Sequence, residues 1–528
     1  MRKKIGSVIM AGVLSVSAIA GLASCGEVVG NGAPAGRTEI KISLYTGGYG
    51  NVWLTNLMND LNNSQETYWY TKLADNKYSG EDITQRILGG IVEGDVYFSS
   101  AGIDQLIAQD CLMDLTEIYE STAPNETKKI KDRAPLYENY KVWFGKGDGV
   151  YAMPQEQGIS GIIYDCDLFE TMGWFRTDTS TASGLTKGTD GVEGTYDDGL
   201  PETYEQFKEL LAKIRQAQMI PFIQTDMLGF DQMEFTAEAI WAQYDGYENY
   251  KTGVTYSGTY TSPSNPNKVV KVTPETGYKV YTENCMEGRE KAMQFLTEVF
   301  NNPANMYQGT GISHTDAQAI WLTSHNMQNP IAMLLDGDWW ENEARRAFVE
   351  DSNVNGEEYA YGNRTFRLMP VPAFEGQDES SNGKHFFARK MVNVVYAVKQ
   401  ADETKKQGVM EFLRAFASEK NCVNYTSCNG GRLAYDYTIS DEVKATLTPF
   451  SRNIFEIFED ENTTIVNPDL LEKESPFINP PDRWRNMTIA GTAYNNPLSA
   501  FKDGNVTVAQ YMQSVGAAYD AESWAKVK

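Results

Sequence analysis

Apolar residues recur along this chain at two spacings, and the two spacings take turns. Ile40, Ile42 and Leu44 alternate with polar neighbours, as a strand with one buried face requires, and Gly47, Gly48 and Gly50 end that run. A helix follows from Val52 to Leu61. Residues 80–98 give a helix with Ile83, Ile87 and Leu88 on one face, then a short strand ending at Ser99-Ser100; Ile103 to Gln109 is again helical. In residues 149–169 two strands flank the polar segment Gln155-Glu156-Gln157-Gly158, where Pro154 stops strand pairing. The PETYEQF start at 201 opens a helix that turns Phe207, Leu210, Leu211 and Ile214 inward, before a short IPFIQ strand. Residues 286–300 and 315–323 predict two more helices. Then comes IAMLLDGDWW at 331–340, an apolar strand that breaks at Asp336, turns at Gly337 and delivers Asp338, Trp339 and Trp340. Strands at 366–374 and 391–398, a helix over 404–421 carrying Val409, Phe412, Leu413 and Phe416, and a tail of helices with RWRN at 483–486 complete the chain. Alternation of this kind predicts an α/β fold, and 528 residues exceed one hydrophobic core, so two doubly wound lobes are expected.

Composition sharpens this picture in three ways. A formal charge of −25 repels phosphate backbones and anionic lipid, which excludes nucleic acid as a partner. The 30 Tyr, 22 Phe and 10 Trp against 3 His favour aromatic recognition over metal chemistry. The first residues read as a secretory leader: Arg2, Lys3 and Lys4, an apolar run from Ile5 to Ala20, then Leu22-Ala23-Ser24-Cys25. Residues 26–38 are a Gly/Ala/Pro-rich tether. The polar insertion at 176–200 carries Asp190, Glu193, Asp197 and Asp198, which could gather a calcium ion or could be a solvated loop. Five cysteines remain after Cys25, at no zinc spacing; Cys422 and Cys428 are near enough in sequence to bridge, although free buried thiols fit as well.

Candidate recognition chemistry follows from the aromatic and planar polar residues. A pyranose has apolar C–H faces and hydroxyl edges, so it calls for an aromatic platform and for planar side chains that pair with two hydroxyls. The platforms are Trp339, Trp340, Tyr49, Trp53, Trp241 and Trp484; the edge partners are Gln155, Glu156, Asp338, Arg432 and Asp226. Trp339, Trp340, Trp53 and Trp241 each have a core reading beside this one, Trp484 could equally be a surface cation–π stack, and Arg432 could equally cap a helix or pair with a surface acid. A glycoside hydrolase would also need two facing carboxylates, but the chain has no G-x-S-x-G elbow and no H-E-x-x-H, so no catalytic residue, metal or cofactor is assigned.

Five stretches in order resemble the extracellular solute-binding proteins of ATP-driven importers, in the branch containing maltose-binding protein. They are DVYFSS with MDLTEIY; GVYAMP with IIYDCDLF; PETYEQF with IPF; AMLLDGDWW; and VYAVKQADETKKQGVMEFLRAF running to NGGRLAY. The Leu-Ala-Ser-Cys ending resembles a lipobox, which implies lipidation at Cys25 and tethering outside the cytoplasmic membrane. The resemblance implies two lobes joined by crossing strands near Pro154–Gly158, Phe386–Asn393 and Asn429–Arg432, with ligand held between them. It divides the chain into a leader (1–24), a tether (25–38), a first lobe (39–157 and 388–428) and a second (158–387 and 429–528). It implies a monomer that hands a carbohydrate to an ABC permease, and it leaves open a non-sugar, cationic solute on the same fold.

Overall fold

A computed structural model describes residues 33–45, 47–63, 69–74, 80–99, 101–225, 230–389, 393–477, 481, 483–484, 487–489, 491–502, 504 and 506–527. The leader, Cys25, most of the tether and Asp226 lie outside the described residues.

The chain builds two mixed sheets. In the first, Thr38–Leu44 lies parallel to both Trp69–Leu73 and Val96–Phe98, and the late strand Val394–Ala397 inserts antiparallel between Val96–Phe98 and Met153–Pro154. In the second, the order is Thr463–Val466, His385–Ala388, Ser160–Asp165, Ile331–Gly337 and Ile220–Ile223, with Phe366–Met369 also pairing Ser160–Asp165. Ser160–Asp165 and Ile331–Gly337 are buried at every position. Their unbroken apolar runs reflect that, because a strand covered on both faces has no solvent side to mark with polar residues. Over Met333–Leu335 and Ile162–Tyr164 alternate residues feed different cores: Met333, Leu335, Ile162 and Tyr164 pack on one face, Leu334 and Ile163 on the other.

The first sheet has its own core, built around Ile40, Ile42, Trp53, Phe98 and Phe412, which also takes Leu433, Tyr435, Tyr437 and Leu447 from beyond the last crossing. The chain passes between the sheets at Met153–Ser160 and at Ala388–Val394, and Arg432–Leu433 pairs antiparallel with Glu156–Gln157 beside the first of these passages. The helix expected over 404–421 is two helices, Glu403–Phe416 and Glu419–Asn429. Ser418 divides them, because its side chain accepts from the Asn421 N–H and starts the second helix anew. The five cysteines within the described residues are free, and no helix there is long and apolar enough to cross a membrane.

Among the described residues no acidic side chains gather into a group that could hold a metal ion, and the reading of the 176–200 insertion as a calcium loop is corrected here in favour of the solvated loop. Each carboxylate turns to a nearby backbone donor: Asp190 to Val192 N–H, Glu193 to Ala182 and Ser183 N–H, Asp198 to Gly194 N–H, and Asp197 to Thr189 N–H. Short acidic side chains in a loop satisfy local N–H groups more readily than they converge. Asp197 instead anchors the insertion to the second sheet. His385 is fully buried, with Nε2 2.9 Å from Asp197 and Nδ1 2.7 Å from the Tyr196 hydroxyl and 3.1 Å from Asp460. Burial alone would favour the neutral ring, but the carboxylates of Asp197 and Asp460 outweigh it and raise the imidazole above its ordinary value. A raised histidine contributes stability that is present below the unfolded value and is lost as pH rises through the folded one. The melting temperature is therefore expected to fall on going from pH 6 to pH 9, with a shallower fall for His385→Gln; identical pH profiles for the two proteins would refute the assignment.

Candidate functional site

The site is built where the strand Ile331–Gly337 runs out. A Cβ on Gly337 would lie 2.3 Å from the Trp339 ring, so the turn that lays this indole back over the strand end requires glycine. On its other side the indole meets Gly48 of the first lobe, where a Cβ would stand 3.0 Å from the ring and where φ is +86°. Trp339 is therefore clasped between two glycines, one from each lobe, and is half-buried. Asn342 donates to the Gly48 carbonyl, and the Tyr49 hydroxyl donates to Asp338 Oδ1 at 3.0 Å, so both lobes meet at this turn.

Behind the turn lies a buried charge cluster. Asp338 Oδ1 also accepts from the Ile159 N–H at 3.3 Å. Glu156 Oε1 accepts from Arg389 at 2.6 Å and from Asn393 through both its backbone and its side-chain nitrogen. Gly158 makes room for this arrangement, since a Cβ there would fall 2.1 Å from the Arg389 guanidinium and 2.6 Å from Asp338. Burial raises both carboxyls, Asp338 to about 6, and Arg389 pulls each part of the way back. Among the described residues, Asp338 Oδ2, Glu156 Oε2 and Gln155 Oε1 are buried without a hydrogen-bond partner. Beside this cluster is an inter-lobe cavity of about 240 Å³, walled by Tyr140, Trp143 and Tyr247 and floored by Glu156, Gly158 and Arg389. Apolar walls with a few convergent polar groups are what a small-molecule site consists of.

The structure brings Tyr49, Gln155, Glu156, Asp338 and Trp339 to this junction and leaves the other candidates elsewhere. Trp340 is core, a correction to its reading as a platform. It opens the short helix Trp340–Glu343, and its ring is enclosed by Trp321, Phe348, Phe366 and Phe450 at centroid distances of 5.1–5.8 Å. Trp241 and Trp484 are also core: they meet edge-on at 5.8 Å, and their indole N–H groups donate to the buried carboxylates of Asp245 and Glu238. Trp53 packs against Phe98, Phe416 and Tyr425. The Arg432 guanidinium lies over Tyr437 and Phe455, facing a different cavity that it shares with Arg133 and Glu419. Arg389, Asn393, Tyr140 and Trp143 were not among the sequence candidates. For Arg389 a signal existed: it is the first charged side chain after the apolar strand His385–Ala388, at the carboxyl end where α/β sheets bind ligands.

No family model and no curated relative matches the sequence. Solved structures do. RafE from Streptococcus pneumoniae, in its apo form, superposes with a TM-score of 0.55 at 14% identity, over 93% of this chain and 100% of that one. This chain shares its fold with solute-binding proteins. A chitin oligosaccharide binding protein gives 0.52 at 12% identity over 93% and 100%. BlMnBP1, the binding protein of an ABC transporter from Bifidobacterium animalis subsp. lactis in complex with mannobiose, gives 0.52 at 12% over 93% and 95%. RafE has also been solved with raffinose, so the structural neighbours include sugar-binding receptors.

Proposed function

We propose that this protein captures a carbohydrate, an oligosaccharide, between its lobes and delivers it to an ABC import permease without chemical turnover. The observation that carries the reading is the inter-lobe cavity, where aromatic walls stand over Glu156 with its unpartnered Oε2, beside the junction that Gln155, Asp338 and Trp339 build. Stacking surface and hydrogen-bond acceptors are the two things a sugar's faces and hydroxyls require. Sugar complexes of RafE and BlMnBP1 support extending that chemistry to this fold. We further propose that residues 1–24 are a leader, that Cys25 is lipidated on the outer face of the cytoplasmic membrane, and that residues 25–38 carry the body clear of it. The proposed lobes are 39–157 with 388–428, and 158–387 with 429–528.

Titration of the mature protein with a panel of oligosaccharides, followed by tryptophan fluorescence and calorimetry, is expected to single out one or a few ligands. Chromatography of the same mixtures should return each sugar unchanged. Release of a shorter saccharide would place the protein among glycoside hydrolases instead.

A further inference from the structure

The charge at the junction, counted over the described residues, does not balance. Among the described residues, two buried carboxylates, Glu156 and Asp338, face one guanidinium, Arg389, and all three side chains are at least nine-tenths buried. Buried charge is tolerated when it is paired, so this trio lacks one positive charge. Position narrows what could supply it. Glu156 Oε1 is fully engaged, whereas Glu156 Oε2 accepts nothing, and Glu156 lines the inter-lobe cavity. The walls there are aromatic, from Tyr140 and Trp143 of the first lobe and Tyr247 of the second, and ring faces attract a desolvated cation. The Trp143 indole N–H also has no acceptor. Glu156 and Trp143, the residues that carry this unpartnered acceptor and this unpartnered donor, both line the same cavity.

Resting on the carbohydrate reading above, we infer that the preferred ligand is a saccharide bearing a protonated amine, with its ammonium at Glu156 Oε2 and a hydroxyl oxygen at the Trp143 N–H. A neutral sugar can meet the N–H but leaves the excess negative charge buried. An ammonium meets both demands, and a simple amine without hydroxyls leaves the indole unsatisfied.

The test is calorimetry at pH 7, above the value of about 6 to which Asp338 is raised, with three matched disaccharides: one carrying free amines, its N-acetylated form, and its unsubstituted hydroxyl counterpart. The amine form is expected to bind at least tenfold more tightly than either of the others. Glu156→Gln is expected to abolish that preference, and Trp143→Phe to weaken all three ligands by a similar factor; thermal melts establish that each variant is folded. Should Glu156→Gln fail to fold, the wild-type ranking of the three ligands decides by itself. Equal or tighter binding of a neutral form overturns this inference while leaving the carbohydrate reading intact. Binding of no saccharide in the wider panel overturns both.

Discussion

Trp339→Ala is expected to weaken ligand binding by about 30- to 150-fold while the protein melts close to the wild-type temperature, and Trp340→Ala is expected to do the reverse. The two residues are adjacent and chemically identical, but their surroundings are not. Trp339 is half-buried and touches backbone at Gly48 and Gly337, so its removal opens a gap at the lobe junction without emptying either core. Losing an aromatic contact surface of this kind costs about 2–3 kcal/mol of binding, which is the fold-change above. Trp340 is completely buried against Trp321, Phe348, Phe366 and Phe450. Truncating such a ring leaves a cavity that costs roughly 3–5 kcal/mol of folding stability. Urea titrations of both variants beside ligand titrations separate the two roles. A destabilised Trp339→Ala with undiminished affinity would contradict the assignment.

The second large effect is expected at Arg389. Replacing it with methionine keeps volume but removes the cation that Glu156 and Asp338 share, and breaking a buried ion pair from one side costs about 3–5 kcal/mol. The loss should depend on pH, with a sign fixed by linkage. A carboxyl raised in the folded state binds its proton more tightly there than when unfolded, so stability falls as pH climbs from the unfolded value through the folded one. In the wild-type protein Asp338, raised to about 6, already behaves this way. Without Arg389 both carboxyls are pushed higher still, so Arg389→Met should be least destabilised near pH 5 and most destabilised near pH 8. Urea midpoints at those two values test this, and a deficit that shrank at pH 8 would refute it.

Much of the fold was legible because buried strands and amphipathic helices leave periodic marks. Ile331–Gly337, Ser160–Asp165 and the helix Tyr204–Gln216 lie where their apolar spacing places them. The turn at Gly337-Asp338-Trp339 was legible for the same reason, since an apolar run that stops at a glycine beside a carboxylate is visible without coordinates. The partners that complete the site were not. Tyr140 and Trp143 sit on an ordinary amphipathic helix, Tyr137–Trp143, and nothing in its spacing distinguishes rings facing the cavity from rings facing the core. Trp241 and Trp484 misled for a complementary reason: their rings could serve as platforms, but they pack on each other in the core, where buried Asp245 and Glu238 accept from their indole N–H groups. Sequence shows that a tryptophan needs a partner and does not show which segment provides it.

The position of Val394–Ala397 inside the first sheet has a consequence for how the chain is made. That strand joins Val96–Phe98 to Met153–Pro154, yet it follows four of the second sheet's strands in sequence and a fifth, His385–Ala388, immediately precedes it. A nascent chain emerging in order therefore cannot close its first sheet until nearly three quarters of the polypeptide has been synthesised. Until then Val96–Phe98 and Met153–Pro154 present unpaired edges of the kind that aggregate or recruit chaperones. Chains truncated just before residue 394 should be insoluble, although they contain most of the first lobe.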